Sequence, residues 1–442
     1  MDLSRRDALR LAALLGALVP LAACDHDPPS VPPRMAPVRL ELARSVVGRS
    51  PGDPEAAPAA AASVHALAAG LFDAVVAGPG NIALSPYSVA VALAMTANGA
   101  RGRTAAEMLD VLGSGRGSGG IEGLDEGLAA LTQHVEGLAG PVDDGSEHPP
   151  EIELTAANEL FAQVGNDWEE AFLDALARWF GAGVRLVDYG RDPEAARGLV
   201  NGWTAEQTHE RIPEILPAGA VDRLTRLVLV DALYLKAPWA EPFNEARSGD
   251  RAFELDDGTV TAVPTMSGAL TSAALGAGDG WQAIRLLYAG GGLAMTIVLP
   301  DRGRKGEVTE LVLRGGLPRI LASVEQQPLE LGLPRWTFRS TTPLTDVLAG
   351  MGMPSAFDPR RADFSGMTRD ERLHVDAVLH ETFVAVDEHG TEAAAATAIV
   401  MGATSAQVPV EEVYVNRPFL FVVHDVQHGT PLFLGRVDDP RA

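Results

Sequence analysis

The stretch Glu388–Gln407 limits what this chain can fold into more than any other. From Ala393 to Val410 it holds no charge and no aromatic residue, and no turn former appears between Gly390 and Gly402. Connections longer than about 12 to 15 residues with no structure of their own are usually functional or disordered. Disordered segments are rich in Pro, Lys, Glu and Ser, and this composition is different. Thr391, Ala393, Ala395, Thr397, Ile399 and Met401 fall on one side of a period-2 pattern, with Glu392, Ala394, Ala396, Ala398 and Val400 on the other. Such a segment reads as a strand not yet in its sheet.

Residues Glu388 through Thr397 resemble the hinge of the serpins, serine protease inhibitors whose exposed reactive loop inserts into their own central sheet. Downstream, Asn416-Arg417-Pro418-Phe419-Leu420-Phe421 and Pro431-Leu432-Phe433-Leu434-Gly435-Arg436-Val437 resemble the C-terminal signature of that family. Upstream, the similar blocks include Asn81–Ser88, Asn98–Thr104, Ala157–Phe161, Leu235–Phe243, Ala294–Pro300, Leu331–Phe338 and Ala362–Met367, all in the family's order. The resemblance runs from about Ser63 to Pro440. It implies an α+β serpin fold with about nine helices, three β-sheets and an exposed reactive loop able to insert into the central sheet.

The bounds set by composition agree with one large domain or two. The chain has 442 residues, 46% of them hydrophobic, and no evident apolar run beyond the N-terminus long enough to span a bilayer. A net charge of −24 argues against nucleic acid, because phosphate binding needs clustered Lys and Arg. No cofactor is expected, and the molecule is expected to be a monomer.

Residues 1–24 read as an address. Ser4-Arg5-Arg6-Asp7-Ala8-Leu9 resembles a twin-arginine motif, with an accidental Arg pair before an ordinary signal peptide as the alternative. An apolar segment follows, and Leu21-Ala22-Ala23-Cys24 looks like a bacterial lipobox whose Cys24 is acylated. The expectation is export to an extracellular or cell-surface, lipid-anchored location, with membrane contact only through that anchor. Cys24 is the single cysteine, so the mature domain has no disulfide. Residues 25–62, rich in Pro and Ala, read as a semi-rigid spacer, and residues 63–442 as the serpin domain.

Local chemistry along the chain is legible without the family. Val64, Leu67, Ala68, Leu71, Phe72 and Val75 recur at helical spacing, and Ser85 is placed to cap a helix with Pro86 at its first position. The formal G-x-G-x-x-G at Gly115, Gly117 and Gly120 lacks a preceding strand and reads as a surface loop. His424 and His428 stand four apart, yet Phe421-Val422-Val423 before them is strand-like, so a strand end and turn is preferred and no metal site is expected. There is no G-x-S-x-G elbow, no H-E-x-x-H and no thiol nucleophile in the mature chain, which argues against an enzyme.

The resemblance also implies roles. Glu388, Gly390, Thr391, Glu392, Ala393, Ala394, Ala395 and Ala396 match the hinge. Ser85, Ser88, Asp231 and His380 match a hydrogen-bonded cluster beneath the place where the central sheet parts. Asp231 departs from the pattern, because the family usually has Asn there; an Asp beside His380 makes either a charge-assisted pair or a desolvation cost. Trp239, Arg335 and Glu388 match a group that holds the top of the insertion site closed. Counting fourteen positions from Gly390 puts the reactive bond at Thr404–Ser405, with Met401–Gly402 as the rival and Gln407 as the outer limit. The implied activity is suicide-substrate inhibition of serine, and by extension cysteine, endopeptidases. The small residues at Thr404 point to an elastase-like or subtilisin-like target. The alternative is a non-inhibitory serpin used for binding or storage.

Overall fold

The computed structural model describes residues 41–113, 119–143, 145, 149–392 and 410–442. Residues 1–24 with Cys24, expected to be an export signal, the segment Ala393–Ala396 and the bonds Met401–Gly402 and Thr404–Ser405 lie outside the described residues. Three sheets carry the fold. Among the described residues the largest has eight strands and runs Glu41–Ala43, Val184–Val187, Glu151–Gln163, Leu227–Pro238, then Ala377–Val386 and Trp336–Pro343, with the two-residue strand Gly390–Thr391 set between Leu227–Pro238 and Ala377–Val386 and the short Gly140–Pro141 paired to Glu151–Gln163. A seven-stranded sheet includes Trp281–Leu287, Leu293–Pro300, Phe419–Asp425, Pro431–Val437 and Ile82–Leu84. A four-stranded sheet joins Glu411–Tyr414, Leu329–Pro334, Val260–Leu270 and Gly249–Glu254. Helices and sheets mix along the chain as an α+β architecture.

The central strand Leu227–Pro238 shows why the large sheet has two covered faces. Its sequence Leu-Val-Leu-Val-Asp-Ala-Leu-Tyr-Leu is almost wholly buried, as expected of a strand packed on both sides. Leu227, Leu229, Leu233 and Leu235 point into the main core, while Val228, Val230 and Ala232 point the other way, toward Val200 and Ile212. The helix Pro193–Gln207 and the loop after it supply that second cover. Asp192 caps the helix by accepting from the Ala195 amide at 3.0 Å, and Pro193 occupies its first turn.

Two expectations change here. Residues 41–62 fall in the stretch that composition assigned to the spacer, yet they belong to the folded unit. Glu41–Ala43 pairs with Val184–Leu186 at the sheet edge, Arg49 pairs with Glu136 at 2.8 Å, and a helix begins at Ala57. Pro and Ala content describes an extended chain but cannot tell a free one from one hydrogen-bonded along a sheet edge. Secondly, the helix Ala57–Val76 is long and apolar enough, by length and composition, to cross a membrane. Its face of Val64, Leu67, Ala68, Leu71 and Phe72 is buried in the main core, so here it acts as a core helix.

Candidate functional site

The seam between Leu227–Pro238 and Ala377–Val386 organises every candidate residue within reach of the description. The two strands are parallel and pair directly from Ala377 opposite Val228 to Thr382 opposite Leu233. Beyond that point Tyr234, Leu235 and Lys236 face Phe383, Val384 and Ala385 with no ladder between them among the described residues. The gap is bridged at its top by Gly390 opposite Pro238, and by Thr391 opposite Ala237 on one side and Val386 on the other. The hinge segment is therefore not wholly outside the sheet, as its sequence pattern suggested: its first two residues are already a strand.

In the paired half, His380 and Asp231 are opposite each other in register and both point into the core. The imidazole Nδ1 bonds Asp231 Oδ1, and Nε2 accepts from the Ser85 backbone N–H at 2.9 Å. A neutral ring with its proton on Nδ1 satisfies both bonds, which answers the alternative left by Asp231: the pair needs no charged histidine. The cost falls on Asp231 itself, whose Oδ2 is buried with no hydrogen-bond partner. Ser85 uses its side chain to cap the helix Pro86–Ala97, accepting from the Ser88 amide at 3.2 Å. Ser88 Oγ turns instead to Asn158 Oδ1 at 2.5 Å. Asn158 lies opposite Asp231 on the neighbouring strand Glu151–Gln163, so the cluster has a fifth member that the sequence reading left out. Its block was noticed, but nothing in a local pattern links positions 158 and 231.

In the open half, glycine at 390 is required by contact: a Cβ there would stand 2.1 Å from the Ala237 carbonyl oxygen. Thr391 is 3% exposed, and its Oγ1 is 2.6 Å from the Tyr288 hydroxyl. Burial raises the Tyr288 hydroxyl far above its ordinary range, so it stays protonated and can donate to Thr391. Tyr288 stacks on Trp239, ring centroids 4.6 Å apart and planes 10° apart, and Trp239 Nε1 donates to the Asp387 carbonyl at 2.9 Å. Arg335 Nε donates to Glu388 Oε1 at 2.9 Å, and Nη2 binds the same oxygen. Glu388 is buried and Arg335 about half exposed, so this is a partly desolvated pair and not a free surface one. Trp239, Arg335 and Glu388 are thus brought together around the point where the hinge enters.

Glu392 is the last described residue of this segment and follows the strand Gly390–Thr391. Its amide still donates to Ala385 O at 2.9 Å, but its φ of 53° lies in the left-handed region, which costs a non-glycine residue of order 1 kcal/mol. Its side chain is held by Arg211, which comes from the loop after the helix Pro193–Gln207 and also lies 5.6 Å from the Phe383 ring centroid. Burial raises the Glu392 carboxyl, and the Arg211 guanidinium opposes that rise. The sequence reading did not find Arg211. It stands 181 positions from its partner, in a run with no motif.

His424 and His428 do not act as a pair. His424 ends a strand and uses both ring nitrogens, at 3.0 Å to Thr296 Oγ1 and 3.0 Å to Asp425 O, whereas His428 sits in the following turn.

Comparison with known proteins follows the same lines. A family profile described as Serpin (serine protease inhibitor) matches residues 62–440. Serpin B6 of Macaca fascicularis is 34% identical over 364 residues, covering 81% of this chain and 93% of that protein. Leukocyte elastase inhibitor of Bos taurus is 33% identical over 377 residues, covering 82% and 93%. The native-state crystal structure of the thermophilic serpin tengpin superposes with a TM-score of 0.75 at 25% identity, covering 90% of this chain and 97% of that one. With the sheet order, the hinge and a match over most of its length in hand, this chain belongs to the serpin family.

Proposed function

We propose that this chain inhibits serine endopeptidases, and by the same chemistry cysteine endopeptidases, as a suicide substrate. The observation that carries the reading is the half-open seam with Gly390 and Thr391 already threaded into its top. Extending the antiparallel register downward gives the lane the inserting loop would take. Six residues after Thr391 is Thr397, six before Ala237 is Asp231, and six before Val386 is His380, so Thr397 arrives between the members of the buried pair. Four further steps put Met401 opposite Leu227, the first residue of its strand. Small residues at Thr391, Ala393, Ala395 and Thr397 enter that lane facing the core without a clash, and the lane supplies partners for their backbone groups.

The mechanism is a race. The protease serine attacks the carbonyl of Thr404, the peptide bond to Ser405 breaks, its amine leaves with the proton, and the acyl-enzyme ester remains. Water would free the enzyme; insertion of the cleaved arm carries the ester about 14 residues at ~3.3 Å each, some ~45 Å along the sheet. Dragged against the inhibitor body, the protease loses the geometry needed for deacylation. Thr404 after Ala403 and Gly402 suits a shallow specificity pocket, elastase-like or subtilisin-like. Export and anchoring through acylated Cys24 would bring the inhibitor to extracellular proteases as a monomer. Incubation with such a protease tests the reading: an SDS-stable complex with release of a C-terminal fragment beginning at Ser405 supports it. Turnover without complex would favour the binding or storage alternative, and a stable complex releasing a fragment that begins at Gly402 would refute the assigned bond.

A further inference from the structure

Away from the seam, three side chains from distant parts of the chain meet at one end of the seven-stranded sheet. His134 lies in the last turn of the helix Gly120–Glu136, Asp425 ends the strand Phe419–Asp425, and His428 lies in the turn leading to Pro431–Val437. Their candidate donor atoms lie within 4.8 Å of one another, and no other such group of three occurs among the described residues. Asp425 is fully buried and fixed in orientation. Its Oδ1 accepts from the His428 backbone N–H at 2.7 Å and its Oδ2 from the Thr430 backbone N–H at 2.8 Å.

His134 supplies the independent sign. Its Nε2 stands 3.3 Å from Asp425 Oδ1, close enough for an ion pair, yet it is buried and has no hydrogen-bond partner. The two facts are compatible only if the nitrogen is near the carboxylate but not aimed along an N–H···O line. The His134 and His428 rings are 5.2 Å apart and 86° to each other, so they converge without stacking face to face. In a tetrahedral site with bonds of about 2.0 to 2.2 Å, neighbouring donor atoms are about 3.3 to 3.6 Å apart. The edge from His134 to Asp425 already has that length. His428, partly exposed in a turn, can close the remaining distance by rotating its ring.

We propose that His134, Asp425 and His428 form a divalent-cation site of the zinc type, with water at the fourth position on the solvent side. Two imidazoles and one carboxylate suit zinc better than calcium or magnesium, which prefer an all-oxygen shell. His424 takes no part, because both its nitrogens are engaged. The ion would tie the end of a helix to a hairpin of the core sheet across 291 positions of sequence, by the numbers of His134 and Asp425. It would do so in a chain whose one cysteine, Cys24, leaves no disulfide to cross-link the domain.

Titration of the full-length protein with Zn2+ by calorimetry, and with Co2+ by visible absorption, tests the site. The expected result is one ion per chain, a Co2+ spectrum of tetrahedral intensity, and a melting temperature that rises with Zn2+ concentration. His134→Ala and His428→Ala should each weaken binding at least about tenfold and remove the thermal response, while circular dichroism shows both variants folded. Asp425→Asn is a poorer probe, since its oxygens also hold the turn. Absence of saturable binding, or binding unchanged in both histidine variants, would overturn the proposal and leave an ordinary His134–Asp425 ion pair.

Discussion

The two halves of one seam behave differently although the same two strands build both. In the lower half, Leu227–Pro238 and Ala377–Val386 share a continuous ladder, and the buried His380–Asp231 pair joins them from beneath. In the upper half the strands have separated, and two residues of a third segment occupy the opening. What differs is the chemistry that faces inward. Below, His380 and Asp231 bond across the seam, with one Asp231 oxygen left unpartnered; above, Thr391 bonds to Tyr288, and Glu392 bonds to Arg211 on a loop outside the sheet. If the loop inserts as proposed, the upper half is where the sheet would start to open and the His380–Asp231 pair is where opening would meet resistance.

The largest expected effect comes from completing the upper half's trend. Cleavage in the loop, followed by insertion down to Met401, adds roughly ten paired residues at about 1 kcal/mol each, about 10 kcal/mol in all. For a domain of this size that corresponds to a melting temperature higher by roughly 10 °C or more. Equal melting of cleaved and uncleaved protein in a calorimeter would remove the contrast between the halves.

Next is Thr391→Arg. The charge would have to be buried as the hinge inserts, which should abolish trapping. Since Thr391 is already buried in the uncleaved chain, the variant should also lose stability, by about 3 to 5 kcal/mol if the hinge stays in place. Expulsion of the hinge would reduce that loss. In either case the protease should cleave the variant as a substrate; stoichiometric trapping would contradict insertion.

Asp231→Ala probes the lower half. It leaves the His380 Nδ1–H buried without an acceptor, at a cost of about 2 to 3 kcal/mol, and removes the pair that Thr397 must displace. Lower thermal stability together with faster spontaneous loss of inhibitory activity is expected. Unchanged stability would mean that the pair does not hold the seam.

Glu159, on the strand beside the seam, gives a pH test. Burial pushes its carboxyl up to about 7, and the Arg185 contact at 2.7 Å only partly opposes this. The folded value lies above the unfolded one near 4.3, so the folded state binds the extra proton. The penalty is absent below pH ~4.3 and grows as pH rises toward 7, so stability falls across that window. Glu159→Gln should therefore be more stable than the parent at pH 8, by about 1 to 2 kcal/mol, and nearly equal to it at pH 4. A constant difference across that range in denaturant titrations would rule this out.

The smallest effect belongs to Arg211→Ala. An ion pair with one exposed partner contributes about 0 to 1 kcal/mol, but this one holds Glu392 in the left-handed conformation that it must leave on insertion. The variant should need fewer inhibitor molecules per protease trapped, with little change in melting temperature. A rise in that ratio would show that Arg211 guides the hinge inward and does not restrain it.

How much of this was readable beforehand depended on distance along the chain. The Ser85–Pro86 helix start and the strand-like Gly390–Thr391 are local, and their residue types carry their geometry. The grouping of Ser85, Ser88, Asp231 and His380 came through family resemblance, and the structure does bring them close, with Ser88 turned to Asn158. Residues 41–62 were misread as spacer because edge pairing leaves no mark on composition.

The sequence by itself determined local features such as the Ser85 cap and the apolar face Val64 to Phe72 of the first helix, since side-chain period and capping act within a few residues. It also determined that Thr391 and the alanines after it are small enough to enter a sheet. Only the tertiary structure decided how far the hinge has entered, that Arg211 meets Glu392, and that His134 meets Asp425 and His428. Those contacts join positions far apart in the chain. They depend on the packing of whole sheets and helices, which no short window of residues encodes.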